Sequence, residues 1–182
     1  NVFVAGYVST SETNTEMVVM KYNNSGGQEW LNIVPGPGYS EDKAWGIVVD
    51  AADNCYITGY ITIDANNTDC LTAAYDSQGN LIWDDNFGGS GNETDKAWGI
   101  VVDTDGSIYI TGETTDALLN INYLTIKYSV TGERLWVKEY NGTGSGEDVA
   151  SAIALVGTSS IVVTGKSWGT SATYDYATVR YN

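Results

Sequence analysis

At 182 residues, 42% of them hydrophobic, the chain is long enough to bury a sizeable core. Its 23 Asp and Glu against 8 Lys and Arg leave a net charge of −15, a field that repels phosphate backbones and argues against a nucleic-acid partner. Histidine, the commonest general base and metal ligand, is absent, and no apolar run reaches the ~18 residues of a membrane span.

The first predicted element, NVFVAGY (1–7), is rich in β-branched and aromatic residues and reads as a strand. It returns as NCYITGY (54–60), SIYITGE (107–113) and SIVVTGK (160–166), each copy 53 residues after the last. A second strand of the LTAAYD type (71–76) follows it, then a more polar strand of the LIWDDNF type (81–87). The fourth kind of strand, AWGIVVD, occurs identically at 44–50 and 97–103 and is almost continuously apolar, as a strand buried on both faces should be. Tyr22, Tyr75, Tyr128 and Tyr181 keep the same register, as do Trp30, Trp83 and Trp136. The links DAADN (50–54), DTDGS (103–107), DSQGN (76–80) and SVTGE (129–133) are tight turns. The links 35–43, 61–69, 88–96 and 114–122 are longer and differ between copies.

Four short antiparallel strands per repeated unit predict an all-β fold of β-propeller type, because one such sheet cannot cover both of its faces alone. The predicted array holds fourteen strands: a partial blade over 1–34, blades over 43–87 and 96–140, and a partial blade over 149–182. The two ends duplicate strands instead of complementing one another, and a seven-unit ring at this period needs more than twice this length. The expectation is therefore an excerpt of a longer array. The alternative is a subunit that pairs with further copies of itself through open strand edges. No basic-then-apolar signal peptide is present, so any export signal is expected to have been removed or to lie outside this sequence.

The stretches YITGY (56–60), GIVVDTDGSIYITGE (99–113), YSVTGERLWVKEYNGTGSGEDVASAIAL (128–155) and YDYATVRYN (174–182) resemble the SBBP family of bacterial and archaeal β-propeller repeats. The resemblance spans essentially the whole chain. It implies a secreted or surface-attached protein without established catalytic residues. The hairpin TGERLW (131–136) is also similar to the tryptophan-docking motif of quinoprotein propellers, although DSQG (76–79) is one residue short of it.

Cys55 and Cys70 fall at repeat positions otherwise filled by apolar or aromatic residues, near opposite ends of a predicted hairpin. Two buried free thiols are expected there, not a disulfide. Asp103 and Asp105 open like a calcium loop but lack its remaining ligands, so an Asp-rich turn competes with a Ca2+ site. Asp42, Asp95 and Asp148 recur beside Glu41, Glu93 and Glu147. They either pin their loops by accepting backbone N–H bonds or form a carboxylate ring that draws cations. Trp168 breaks the pattern of Ser9, Thr62 and Thr115 and either stands exposed as a contact for a sugar ring or a protein or lies flat against a neighbouring loop, whereas Trp45 and Trp98 read as packing. Asn23, Asn66, Asn92 and Asn141 begin N-glycosylation triplets in predicted loops.

If strand connections alternate between two faces, the long loops share one acidic face, where binding residues on a rigid scaffold belong. The expected function is a non-enzymatic extracellular or cell-surface scaffold, adhesion or surface-assembly module. Its face of Glu41, Asp42, Glu93, Asp95, Glu147, Asp148 and Trp168 would meet a protein or a glycan. Two alternatives stand: a filament or surface-layer subunit joined through strand edges, and a fragment of a propeller hydrolase or quinoprotein-like enzyme. No cofactor beyond the Ca2+ option is expected.

Overall fold

The computed structural model describes residues 1–37, 40–144, 146–171 and 173–182, with fourteen strands and no helix among them. The first sheet is β1 (Val2–Ser9), β2 (Thr15–Tyr22) and β3 (Gln28–Val34). The second is β4 (Lys43–Val49), β5 (Cys55–Thr62), β6 (Thr68–Tyr75) and β7 (Leu81–Phe87). The third is β8 (Lys96–Val102), β9 (Ile108–Thr115), β10 (Ile121–Tyr128) and β11 (Arg134–Tyr140). The fourth is β12 (Val149–Val156), β13 (Ser160–Trp168) and β14 (Tyr174–Tyr181). All neighbouring strands are antiparallel and follow chain order within each sheet, which is the propeller-type blade the sequence predicts.

The tight turns have a common local cause. Asp50 Oδ1 accepts the backbone N–H groups of Ala52 and Asn54, and Asp103 Oδ1 those of Asp105 and Ser107. Asp76 does the same for Gln78 and Asn80, so a short carboxylate closes each of these three turns, and in 129–133 the Ser129 hydroxyl accepts the Thr131 and Glu133 N–H groups instead.

Flat sides meet between consecutive sheets. Phe3, Val19 and Trp30 of the first sheet pack on Ile47, Cys55, Ile57 and Tyr75 of the second. Tyr56, Cys70 and Trp83 pack on Ile100, Ile108, Ile110 and Tyr128 of the third. Tyr109, Tyr123 and Trp136 pack on Ile153, Ile161, Val163 and Tyr181 of the fourth. The inner strand of each sheet leads this contact: β4 lies on β1, β8 on β4 and β5, and β12 on β8 and β9.

Toward the outer edge, an indole from one sheet covers a tyrosine of the next. The pairs are Trp30–Tyr75, Trp83–Tyr128 and Trp136–Tyr181, with ring centroids 6.4, 5.5 and 5.6 Å apart. Such pairs add about 0.5–1.5 kcal/mol beyond their burial. The Trp30 and Trp83 N–H groups also donate to the Ser77 and Val130 carbonyls in the next sheet's turn. Gly79 and Gly132, at φ +87° and +85°, keep that turn left-handed and let the indole lie on it.

The cysteines sit as their repeat positions predict. Cys55 pairs with Tyr75 and Cys70 with Tyr60, at opposite ends of the β5–β6 hairpin, and both are free and fully buried. Burial pushes each thiol up to about 12, so neither is reactive at neutral pH.

Candidate functional site

The long loops 8–16, 35–43, 61–69, 88–96, 114–122, 141–149 and 167–175 follow the ends of strands that place them on one side. Gly38, Tyr39, Ser145 and Ala172, which belong to three of them, lie outside the described residues. What holds these loops is the recurring aspartate. Asp42 Oδ2 accepts the Gly36 N–H at 2.7 Å and its Oδ1 the Thr62 N–H at 2.8 Å. Asp95 accepts from Gly89 and Thr115, and from the Thr114 hydroxyl. Asp148 accepts from Gly142 and Trp168. The backbone N–H of each aspartate donates to the preceding sheet, at Thr15, Thr68 and Ile121.

Each of these side chains therefore ties an incoming loop to the end of its own sheet's second strand while its main chain grips the sheet before. All three carboxylates are buried, which removes Asp42, Asp95 and Asp148 from the presented surface and gives them to the frame. Burial raises Asp42 and Asp95 above the usual carboxylate range, partly offset by the backbone donors.

Of the acids at the recurring Asp and Glu positions, Glu41, Glu93 and Glu147 are the ones left on the surface. Glu41 pairs with Lys43 at 2.9 Å and Glu147 with Lys166 at 2.6 Å. Lys43 also lies over the Tyr7 ring, Lys96 over Tyr60 and Lys166 over Tyr174, so cations from one element cap aromatics of another around this face.

Glu113, half-buried at the same end of β9, has its carboxyl pushed up by burial against the opposing pull of Lys96 and Lys166. An acid raised in the folded state contributes stability that is fully present below its unfolded range and is lost as pH rises through the folded value. Glu113→Gln is therefore expected to melt higher than the parent at pH 7. The gap should close as the pH falls through the carboxylate range, and thermal melts across that interval read both.

Trp168 is half-buried. It meets Tyr174 edge to face at 4.6 Å and lies against Gly144 and Gly146, where a side chain would collide with the indole. It lies against the neighbouring loop 141–149 instead of standing free. The reverse correction applies to Trp45, which the repeat marks as packing. It sits at a bulge in β4, between Ala44 and Gly46, and is 54% exposed. Its ring meets Trp98, the bulge residue of β8, at 5.5 Å, and Trp98 in turn meets Tyr60 at 6.4 Å. A bulge re-aims one side chain off the sheet, and the Trp-Gly step inside an otherwise continuous apolar strand is the sequence signal for it.

Asp103 belongs to its turn. Its Oδ1 holds the two N–H groups already described and its Oδ2 accepts the Tyr109 hydroxyl at 3.0 Å. As a metal ligand set with Asp105 it has no third partner, since no group of three or more Asp, Glu, Cys or His that could hold a metal ion occurs among the described residues. A cleft of about 560 Å³ opens at this tight-turn end, between the ends of β4, β8 and β12, lined by Asp50, Asp103, Asp105 and Leu155 among others. It faces away from the long loops that the sequence favours. Of the glycosylation triplets, Asn66, Asn92 and Asn141 are exposed, while Asn23 is half-buried with its Oδ1 accepting the Ser25 and Gly27 N–H groups.

Comparison with known proteins adds one identification: residues 87–120 match the family model described as SBBP, beta-propeller repeat. That span runs from the end of β7 to the link before β10 and contains the Asp95 pin, the Trp98 bulge and the Asp103 turn. No curated protein matches the chain.

Proposed function

Taking as premise that the chain carries a beta-propeller repeat of the SBBP family, we propose that it is a non-enzymatic extracellular or cell-surface scaffold or adhesion module. Its long-loop face is the presented surface, and a glycan is its ligand class. The observation that carries this reading is the exposed Trp45 indole, backed edge-on by Trp98, which in turn meets Tyr60. A flat, half-wet aromatic on rigid strands suits stacking against a sugar ring, because little conformational freedom remains to be lost on binding. Support for the rigidity comes from the aspartates, which fix the surrounding loops through backbone donors. Exposed Glu41, Glu93 and Glu147 supply acceptors for sugar hydroxyls nearby.

Affinity electrophoresis through gels containing soluble neutral polysaccharides tests the proposal. At least one polymer should retard the chain, and Trp45→Ala should restore free migration without lowering the melting temperature. Free migration of the parent in every gel, or unchanged retardation of the variant, would remove the glycan reading.

A further inference from the structure

Six turns among the described residues close in one way, starting at Asn23, Asp50, Asp76, Asp103, Asp116 and Ser129. The first residue's N–H donates to the carbonyl four places on, and the fourth residue's N–H donates back to the first carbonyl. In each the fourth residue is left-handed, and in five of them it is Gly26, Asp53, Gly79, Gly106 or Gly132. In the sixth it is Leu119, at φ +64°. A bulky side chain there crowds its own backbone, so glycine would hold this turn with less strain. Burial does not compensate, because Leu119 is 66% exposed and Leu118 before it 82%. The matching places of the other repeats carry Glu12 and Thr13, Ala65 and Asn66, and Ser171 and Ala172, so the apolar pair belongs to this loop. A cleft of about 290 Å³ opens beside it, lined by Thr115, Leu119 and Ile121 of one loop and by Glu93 and Thr94 of the loop before. Backbone bonds fix its walls: the Gly91 N–H donates to the Thr115 carbonyl and the Thr68 N–H to the Glu93 carbonyl.

We propose that Leu118 and Leu119, with this cleft, form a docking site for a cationic protein. Leu118 enters an apolar pocket of the partner, an apolar side chain of the partner fills the cleft against Leu119 and Ile121, and a Lys or Arg beside it meets Glu93. A leucine that strains its turn and still faces water is kept for a contact outside the chain. Charge selects the partner. The chain carries a net −15 and the one ionisable group lining the cleft is an acid, which repels a second copy of the chain and an anionic bilayer alike. Shape agrees, since the cleft is smaller than the roughly 300–1,000 Å³ of small-molecule sites and suits a single side chain. Two aliphatic tips also offer no ring on which a sugar could stack. The site shares only Glu93 with the glycan reading and makes no use of Trp45, so either can fail without the other.

The test uses the intact chain and a panel of fluorescein-labelled peptides alternating Lys or Arg with Leu or Phe, with Glu replacing the basic residues in the controls. Fluorescence anisotropy at physiological salt should show saturable binding of at least one cationic peptide and of no acidic one. Leu118→Ser keeps every charge and should weaken that binding at least tenfold. Leu119→Gly should weaken it too while raising the melting temperature by a few degrees, a combination that a leucine held there for stability would not give. Saturable binding by none of the peptides overturns the proposal, as does binding that both leucine variants leave unchanged, which is charge attraction alone. A melting temperature lowered by Leu119→Gly overturns it by giving that leucine a role within the fold. Co-sedimentation with phosphatidylcholine vesicles that Leu118→Ser abolishes also overturns it, by assigning the pair to a lipid surface.

Discussion

Asp95→Ala should destabilise the protein by about 3 kcal/mol, lowering its melting temperature by about 6–12 °C. The reason is local and countable. The side chain is fully buried and receives the Gly89 and Thr115 N–H groups and the Thr114 hydroxyl, which would lose their acceptor together. Each stranded buried donor costs about 1–3 kcal/mol, and the relief from deleting a desolvated carboxylate offsets only part of that sum. Asp95→Asn keeps one acceptor oxygen and should lose less. Its residual deficit would separate the carboxylate's charge from its geometry. A melt of Asp95→Ala within a degree of the parent would show that the loop before β8 holds itself without this residue.

Gly112→Val should have an effect of the same size or larger, about 3 kcal/mol or more, and is expected to reduce the yield of folded chain. The valine would overlap the Lys96 carbonyl and press on the Ala97 backbone, neither of which is a side chain that can swing away. The inner strand β8 would have to lift from β9, and β8 is the strand that rests on β4 and β5 of the preceding sheet. One Cβ thus disturbs a ladder and a sheet-to-sheet contact together. Chemical denaturation with circular dichroism as the probe reads the loss. Unchanged stability would mean that the inner strand does not approach as closely as the structure places it.

These two positions also mark what a sequence can and cannot disclose here. Strand identity, the Asp-closed turns and the burial of Cys55 and Cys70 are legible because each depends on residues close in sequence or on a position repeated along the chain. The aspartates recur just as plainly, yet recurrence alone leaves a pin and a presented carboxylate ring indistinguishable. What decides is which backbone N–H arrives at Asp95, and one comes from Thr115, twenty residues on. Trp45 and Trp98 share the word AWGIVV but not their surroundings. Trp98 meets an aromatic on either side, Trp45 and Tyr60, and Trp45 meets Trp98 while its other side opens to water. Trp168 stays open between contact and packing in the sequence because the glycines that receive it, Gly144 and Gly146, lie in a different loop. At each of these residues the missing information is the neighbour across a gap, set by how one sheet lies on the next.

That contact, flat side on flat side between consecutive sheets, is tested most directly by the two native thiols. Cys55 points into the seam between the first and second sheets and Cys70 into the seam between the second and third. A small thiol reagent added to the folded chain at neutral pH should modify neither, and both should react at once in denaturant. Rapid labelling of either cysteine in the native protein would contradict the stacking on which the loop frame depends.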